Sequence, residues 1–279
     1  MVFSVIVPFL NEAKRIEPCL KSLLAQQFDQ DYELIFIDNG STDRSVEIVQ
    51  SYPVTLFHEP VRDPYLARNR GIRAARGQYI AFTDADCIVK PDWLTWLYHS
   101  FEAEGADIVI GRLLYPQPVP LALECHENYY HIKLQDICRH KRTPYYYGHA
   151  GNMAVRASVF EQVGLFSGMP VVGDTEIIHN LIQSQPDAAI VYEPRAEVIH
   201  TEVTRLRHYL YKQFECGQYS ETYSTGSSYR PLRFRDNLRL ARATLAAFQY
   251  GLWKQFIFAY SLVTGYLAYK AGRLLRKWQ

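Results

Sequence analysis

Residues 77–86 read Gly77-Gln78-Tyr79-Ile80-Ala81-Phe82-Thr83-Asp84-Ala85-Asp86. After the opening glycine, 78–83 form a short, mostly apolar strand that breaks on two carboxylates spaced i, i+2. An apolar run of this kind suits a strand of a parallel sheet, which is covered on both faces. Open parallel sheets bind their ligands beyond the carboxyl ends of the strands. Two carboxylates at that edge can hold a hard divalent cation, Mn2+ or Mg2+, directly or through water, and leave positions open for a diphosphate. An Asp-x-Asp pair is also common in solvated turns, so its neighbours must decide the reading.

Upstream, 2–7 reads as a buried strand and 12–27 as an amphipathic helix, with Ile16, Leu20, Leu23 and Leu24 at helical spacing. A second apolar strand at 33–38 ends on Asp38, and Ser41 or Thr42 is placed to cap the helix that follows. A third strand is expected at 54–57 and a helix at 64–76. Downstream, a helix at 91–104 and a strand at 107–110 extend the series. Repeated β-α-β units predict an α/β fold, a mostly parallel sheet flanked by helices, with Asp38 and Asp84 at one edge. Residues 112–150 are rich in Pro and Tyr; 121–139 reads as a helix and 145–148 as a loop. Residues 151–156 read as a strand and 157–163 as a helix. From 203 onward the pattern is helical, with 243–269 a single stretch that carries one charge, Lys254.

Composition, with 48% hydrophobic and 21% charged residues, fits a folded protein and excludes a disordered one. The chain opens directly in a strand-like run without the features of a signal peptide, and its five cysteines include no Cys-x-x-Cys pair. Reduced thiols and a cytoplasmic setting are expected. Cys125, His126, His131, Cys138 and His140 fit no standard zinc spacing. Charge is unevenly divided. Residues 230–279 hold ten basic side chains against Asp236, so this segment stands at +9 and the preceding 229 residues at −8. Such a segment faces an anionic partner. The uncharged run 255–269 favours an anionic membrane surface over nucleic acid, and its fifteen residues fall short of a spanning helix. A buried helical hairpin is the alternative for this stretch.

Over most of 1–200 the sequence resembles the family 2 glycosyltransferases. The resemblance rests on motifs that follow one another in order. Ser4-Val5-Ile6-Val7-Pro8-Phe9-Leu10-Asn11-Glu12 and Ile37-Asp38-Asn39-Gly40-Ser41-Thr42-Asp43 come first, then Ala67-Arg68-Asn69-Arg70-Gly71-Ile72. Residues 77–86 follow, then Gly151-Asn152-Met153-Ala154-Val155-Arg156, leading into Phe160-Glu161-Gln162-Val163-Gly164-Leu165-Phe166.

The resemblance implies a GT-A fold over 1–200, a helical extension over 201–279, and inverting transfer of a sugar from a nucleoside diphosphate. UDP is the default donor nucleotide, and the acceptor is a hydroxyl of a glycan or lipid-linked molecule, in polysaccharide or glycolipid synthesis. Asp38 matches the acid that binds the nucleobase, with Pro8, Asn11 and Glu12 lining the same pocket. Arg68 matches an arginine of the nucleotide site, Asp84 approaches the ribose or metal, and Asp86 is the principal metal ligand. His200 is a further candidate ligand by the same comparison.

Gly151 and Asn152 fall on the acceptor side, where Tyr145–Tyr147 and His149 could stack on sugar rings. In Val172-Gly173-Asp174-Thr175-Glu176, Asp174 aligns with the catalytic base and Glu176 with the acid two residues on, whereas Gly173 replaces an acid of the family pattern. Asp174 also suits an N-cap of a helix over 175–182. An inactive scaffold or sugar-binding subunit is the rival reading, which Gly173 favours and the four aligned aspartates oppose.

Overall fold

The computed structural model describes residues 1–167, 172–224 and 229–276. Among these, eight strands form one sheet: β1 (Phe3–Phe9), β2 (Tyr32–Asp38), β3 (Thr55–His58), β4 (Tyr79–Thr83), β5 (Cys87–Val89), β6 (Ile108–Leu114), β7 (Asn152–Arg156) and β8 (Ile190–His200). Their order is β3-β2-β1-β4-β7-β6-β8-β5. The pairs β1–β2, β1–β4, β2–β3 and β6–β8 are parallel, and β7 and β5 run against their neighbours. The α/β architecture and mostly parallel sheet expected from the β-α-β pattern are therefore present. The short strand β5 was not legible, since three residues carry too little periodicity to separate a strand from a turn.

Helices α1 (Ile16–Leu24), α2 (Ser45–Gln50), α3 (Pro64–Ala74), α4 (Trp93–Ala103), α6 (Ala157–Val163) and α7 (Gly173–Ser184) accompany this sheet. The remaining helices, α5 (Leu121–Arg139), α8 (Leu206–Ser224), α9 (Phe234–Phe248) and α10 (Leu252–Arg276), belong to a second compact unit. That unit comprises 115–146 and 202–279, and the sheet unit comprises 1–114 and 147–201.

Every residue of β1 and β4 is buried, as strands covered on both faces must be. Phe3, Tyr79 and Phe101 meet on one face, with the last two rings stacked at 4.0 Å. Aromatic surface removed from water in this way is a large share of core stability. Helix α3 begins at a strong signal: Asp63 accepts hydrogen bonds from the amides of Tyr65 and Leu66, and Pro64 fills the first turn. Gly71 lets α3 settle against the sheet, because a Cβ there would lie 2.7 Å from Ile6 and 2.9 Å from Ile37. The approach buries Arg68 and Asn69. Asn69 exchanges two hydrogen bonds with the backbone of Phe166, at 2.8 and 3.0 Å, and so ties α3 to the segment after α6.

One boundary differs from expectation. Neither Ser41 nor Thr42 caps a helix: α2 starts at Ser45, and the earlier residues bond to Asn11 instead. The stretch 243–269, read as a pair of helices, is divided between α9 and α10. Gln249 takes a left-handed conformation (φ 47°) and separates α9 from α10, while the Tyr250 hydroxyl accepts a hydrogen bond from buried Asn128. No helix among the described residues is long and apolar enough to cross a membrane.

Candidate active site

The carboxyl ends of β1, β2 and β4 share one edge, since Phe9 pairs with Asp38 and Ile6 with Phe82. Antiparallel β7 starts at that edge, where Asn152 pairs with Thr83. His200, at the end of β8, pairs with Cys87 just beyond Asp86. The topology thus gathers chemistry from five strands that are far apart in sequence.

At one end, the turns after β1 and β2 are stitched together. The Asn11 amide donates to Ser41 Oγ, the Thr42 amide to Asn11 Oδ1, the Glu12 amide to Ser45 Oγ and the Ala13 amide to Asp43 Oδ2. Asn11 itself sits at φ 57°, a conformation asparagine tolerates better than most residues. Pro8 is buried in β1, and the Glu12 carboxylate pairs with Arg15 at 2.8 Å. Asp38 is buried, with Oδ1 accepting from the Ser41 amide and Oδ2 facing His58 Nδ1 at 2.9 Å. Burial alone would push this carboxyl up, but the hydrogen bonds from Ser41, His58 and Gly40 outweigh it and hold it below its ordinary value. His58 had no signal in the sequence, because only the β2–β3 pairing sets it beside Asp38.

In the centre, the buried Arg68 guanidinium donates to Asp84 Oδ1 and lies over the Tyr65 ring at 5.3 Å. Asp84, expected to share the metal, is turned to Arg68 instead and is not part of the ligand cluster beside it. That cluster comprises Asp86, Cys87 and His200, whose ligand atoms lie within 4.8 Å of one another. Gly151 stands against Asp84, and a Cβ there would approach Oδ2 to 3.1 Å. His200 Nδ1 is buried, faces Asp86 Oδ2 at 3.4 Å and makes no hydrogen bond. Burial and the carboxylates of Asp84 and Asp86 push the Cys87 thiol well up, so it stays protonated and donates to Asp86 at 3.7 Å. An orphaned imidazole nitrogen facing a carboxylate is a donor set that suits Mn2+. His149 is a further imidazole near this group: burial lowers its pKa to about 4, with His200 lowering it and Asp84 raising it.

At the other end, Asp174 lies in the first turn of α7. It does not cap a helix over 175–182, because α7 begins at Gly173. Its Oδ2 accepts from the Ala150 amide at 3.0 Å and its Oδ1 from the Thr175 amide at 2.8 Å. Burial pushes this carboxyl up to about 6 and Asp84 adds to the rise, against the pull of the two amides and Arg68. Gly173 is where a Cβ would fall 2.9 Å from the Tyr65 ring, so the ring occupies the space a larger residue would need. Tyr65 carried no signal in the sequence. Glu176 is half-buried and accepts from the Ser167 hydroxyl at 2.5 Å.

Asn152 is a correction. Expected on the acceptor side, it is fully buried, and its carboxamide is spent on structure. Its oxygen accepts from Trp93 Nε1, and its nitrogen donates to the carbonyls of Arg112 and Ala196.

Residues 4–164, more than half of the chain, match Glycosyl transferase family 2. The glycosyltransferase AglE of Haloferax volcanii is 29% identical over 178 residues, which cover 61% of this chain and 57% of that protein. The glycosyltransferase GlyG of Streptococcus pneumoniae is 36% identical over 117 residues, covering 40% and 38%. The chain thus matches 57% and 38% of the length of these two relatives. Among solved structures, the mannosyltransferase PcManGT from Pyrobaculum calidifontis, in complex with GDP-Man and Mn2+, superposes with a TM-score of 0.70 at 19% identity, over 99% of this chain and 87% of that one. S. aureus TarS 1–349 in complex with UDP-GlcNAc gives 0.55 at 17% identity, over 96% and 81%. These likenesses identify the fold as the GT-A type. The sequence motifs, the sheet that carries them and the match over 4–164 lead to one conclusion: the chain belongs to glycosyl transferase family 2.

Proposed function

We propose that the chain is an inverting, metal-using glycosyltransferase that moves a sugar from a nucleoside-diphosphate donor, by default a UDP-sugar, to a hydroxyl of a glycan or lipid-linked acceptor. The observation that carries this reading is Asp174. A buried carboxyl with a pKa raised to about 6 is a general base poised near neutral pH. Its two amide contacts fix the carboxylate in place, and its electrostatic coupling to Arg68 and Asp84 ties it to the donor edge. In the step, the acceptor hydroxyl gives its proton to Asp174 as its oxygen bonds to the anomeric carbon. The bond from that carbon to the diphosphate oxygen breaks on the opposite side, which inverts the configuration. Gly173 does not vacate the base, since the missing acid's place is filled by Tyr65; this weighs against the inactive-scaffold reading.

Asp38 would read the nucleobase, with His58 holding its second oxygen. Arg68 would meet the diphosphate or base edge while anchoring Asp84 near the ribose. Asp86 and His200 would hold Mn2+ or Mg2+, and the bound cation would offset the charge gathering on the departing diphosphate. The homologues support synthesis of a polysaccharide or glycolipid; one relative is a poly(ribitol-phosphate) beta-glucosyltransferase of Bacillus spizizenii, 33% identical over 121 residues. We also read 230–279 as the part that meets an anionic membrane at its cytoplasmic face, on the strength of its +9 charge; Lys277 of that segment lies outside the described residues.

The test is Asp174→Asn. The variant should bind UDP or GDP as the parent does and lose at least about a thousandfold in transfer rate, the scale expected when a positioned base is removed. Turnover near the parental rate in a folded variant would sink the assignment.

A further inference from the structure

Helix α10 has two unlike faces. One side meets α8 at glycines of both helices: a Cβ on Gly217 of α8 would collide with the Tyr269 carbonyl, one on Gly272 of α10 with the Phe214 carbonyl, and one on Gly265 of α10 would sit 3.2 Å from the Tyr209 ring. Glycines at these three points let the two helix backbones approach closely, and Phe258 and Ser261 are buried on the same helix. The opposite face is apolar and uncovered. Trp253 (74% exposed), Phe256 (70%), Tyr260 (62%), Val263 and Leu267 recur at three- and four-residue steps, and Leu274 follows two turns on with Lys270 between, so all share one side of the helix. The stripe runs roughly 31 Å at the helical rise. An apolar stripe of this length, three of its members aromatic, exceeds the scattered apolar side chains a soluble surface ordinarily carries.

The charge carried by the same C-terminal segment selects the occupant of the stripe. Lys270 stands near its end, exposed. Preceding α9 presents Arg235 and Arg242, exposed and without ion-pair partners among the described residues, beside exposed Phe234 and Leu238. A second copy of the same chain would bring like charges together. A phospholipid surface supplies the opposite charge and, at headgroup depth, the mixed environment that Trp and Tyr favour. Because only one side of α10 is apolar and the other is packed on α8, the helix suits lying in the plane of the surface and not crossing it.

We infer that the Trp253–Leu274 face of α10 is an interfacial docking surface that lies on anionic phospholipid, its aromatic side chains inserted and the arginines of α9 at the headgroups. This rests on the membrane reading of 230–279 and specifies which side chains insert. The test is co-flotation of the full chain with vesicles of phosphatidylcholine alone or mixed with phosphatidylglycerol, with Trp253→Ser/Phe256→Ser/Tyr260→Ser as the variant. These side chains are exposed, so the variant should keep the parental circular dichroism spectrum.

The expected result is flotation of the parent on the mixed vesicles, weakened by salt, and at least a tenfold loss of partitioning in the triple variant. Quenching of Trp253 fluorescence by brominated lipid, absent in Trp253→Phe, would report insertion without relying on the triple variant. Parental flotation by the triple variant with no quenching would overturn the docking face and leave the membrane reading standing. Failure of the parent to float on either vesicle would overturn the membrane reading itself. A concentration-dependent dimer that the triple variant abolishes, without flotation, would assign the face to a second copy.

Discussion

Asp174 shows how much of this site is decided by the surroundings of one side chain. Its carboxyl is poised by a balance: burial and Asp84 raise its pKa, while the Ala150 and Thr175 amides and Arg68 lower it, and the rise wins at about 6. The sign of its pH dependence follows. A group whose folded pKa lies above its unfolded value favours the folded state when protonated, so that contribution is complete below the unfolded value near 3.8 and is lost as pH rises through about 6. In the proposed role catalysis would run the other way, because a base must be deprotonated to accept a proton. The free-enzyme kcat/KM should therefore climb about tenfold per pH unit below about 6 and level off above it. A pH–rate profile of the full chain with saturating metal checks this, and a flat profile between about pH 5 and 7.5 would remove Asp174 from the proton transfer. The sequence could identify this aspartate only by its place in a motif. Its surroundings include Tyr65, packed on the adjacent Gly173 from 109 positions upstream of Asp174, and no local pattern carries that distance.

At the scale of elements, the most informative feature is the irregularity where β6 meets β8. Gly111 pairs with Glu193 but the next residue, Arg112, pairs with Glu197, so β8 bulges by three residues. Glu193 is buried there, its carboxylate satisfied by the amide, Nε and Nη2 of Arg195, which itself stacks on Trp96 at 3.8 Å. The Asn152 carboxamide closes the gap over Gly111 and spans β6, β8 and α4 through three hydrogen bonds. Asn152→Ala would leave two carbonyls and an indole N–H unpaired, at about 1–3 kcal/mol for each group that water cannot reach. A loss of roughly 2–4 kcal/mol corresponds to a fall in Tm of about 3–7 °C at this chain length, measurable by differential scanning calorimetry; an unchanged Tm would mean that the network relaxes freely. The contrast with what the sequence told is physical. Helix α5 was read with its observed bounds because its periodicity is local. The bulge and β5 are set by partners brought together only by the sheet, and the break at Gln249 occurs in a run whose hydrophobicity continues on both sides.

For the molecule as a whole, charge is the controlling quantity. The first 229 residues carry −8 although the chain totals +1, and their carboxyl edge holds Asp38, Asp84, Asp86 and Asp174. A nucleoside diphosphate bound there, as proposed, would bring further negative charge to this edge. Arg68 answers one carboxylate and is already paired with it, so the guanidinium gives the diphosphate little net attraction. Each unit charge at about 4 Å is worth about 1 kcal/mol in water and about 4 kcal/mol at the effective dielectric of a protein surface. Two positive charges between Asp86 and a phosphate, if a divalent cation is held there as proposed, would outweigh the repulsion that the remaining acids exert. Nucleotide affinity should depend on metal as a whole-site property: calorimetric titration of UDP and of GDP with Mn2+ should give saturable binding to one of them, and a chelator should weaken it by at least about a hundredfold, near 2.7 kcal/mol. The same nucleotide with Mn2+ at a hundred times its Kd should raise stability by a similar amount, since ligand bound to the folded chain alone stabilises it by mass action. Asp86→Ala should abolish the metal-dependent part and leave whatever affinity Asp38 and Arg68 supply. Undiminished affinity in chelator would mean that the diphosphate is held by cationic side chains, and that the Asp86–His200 pair serves the fold and not the donor.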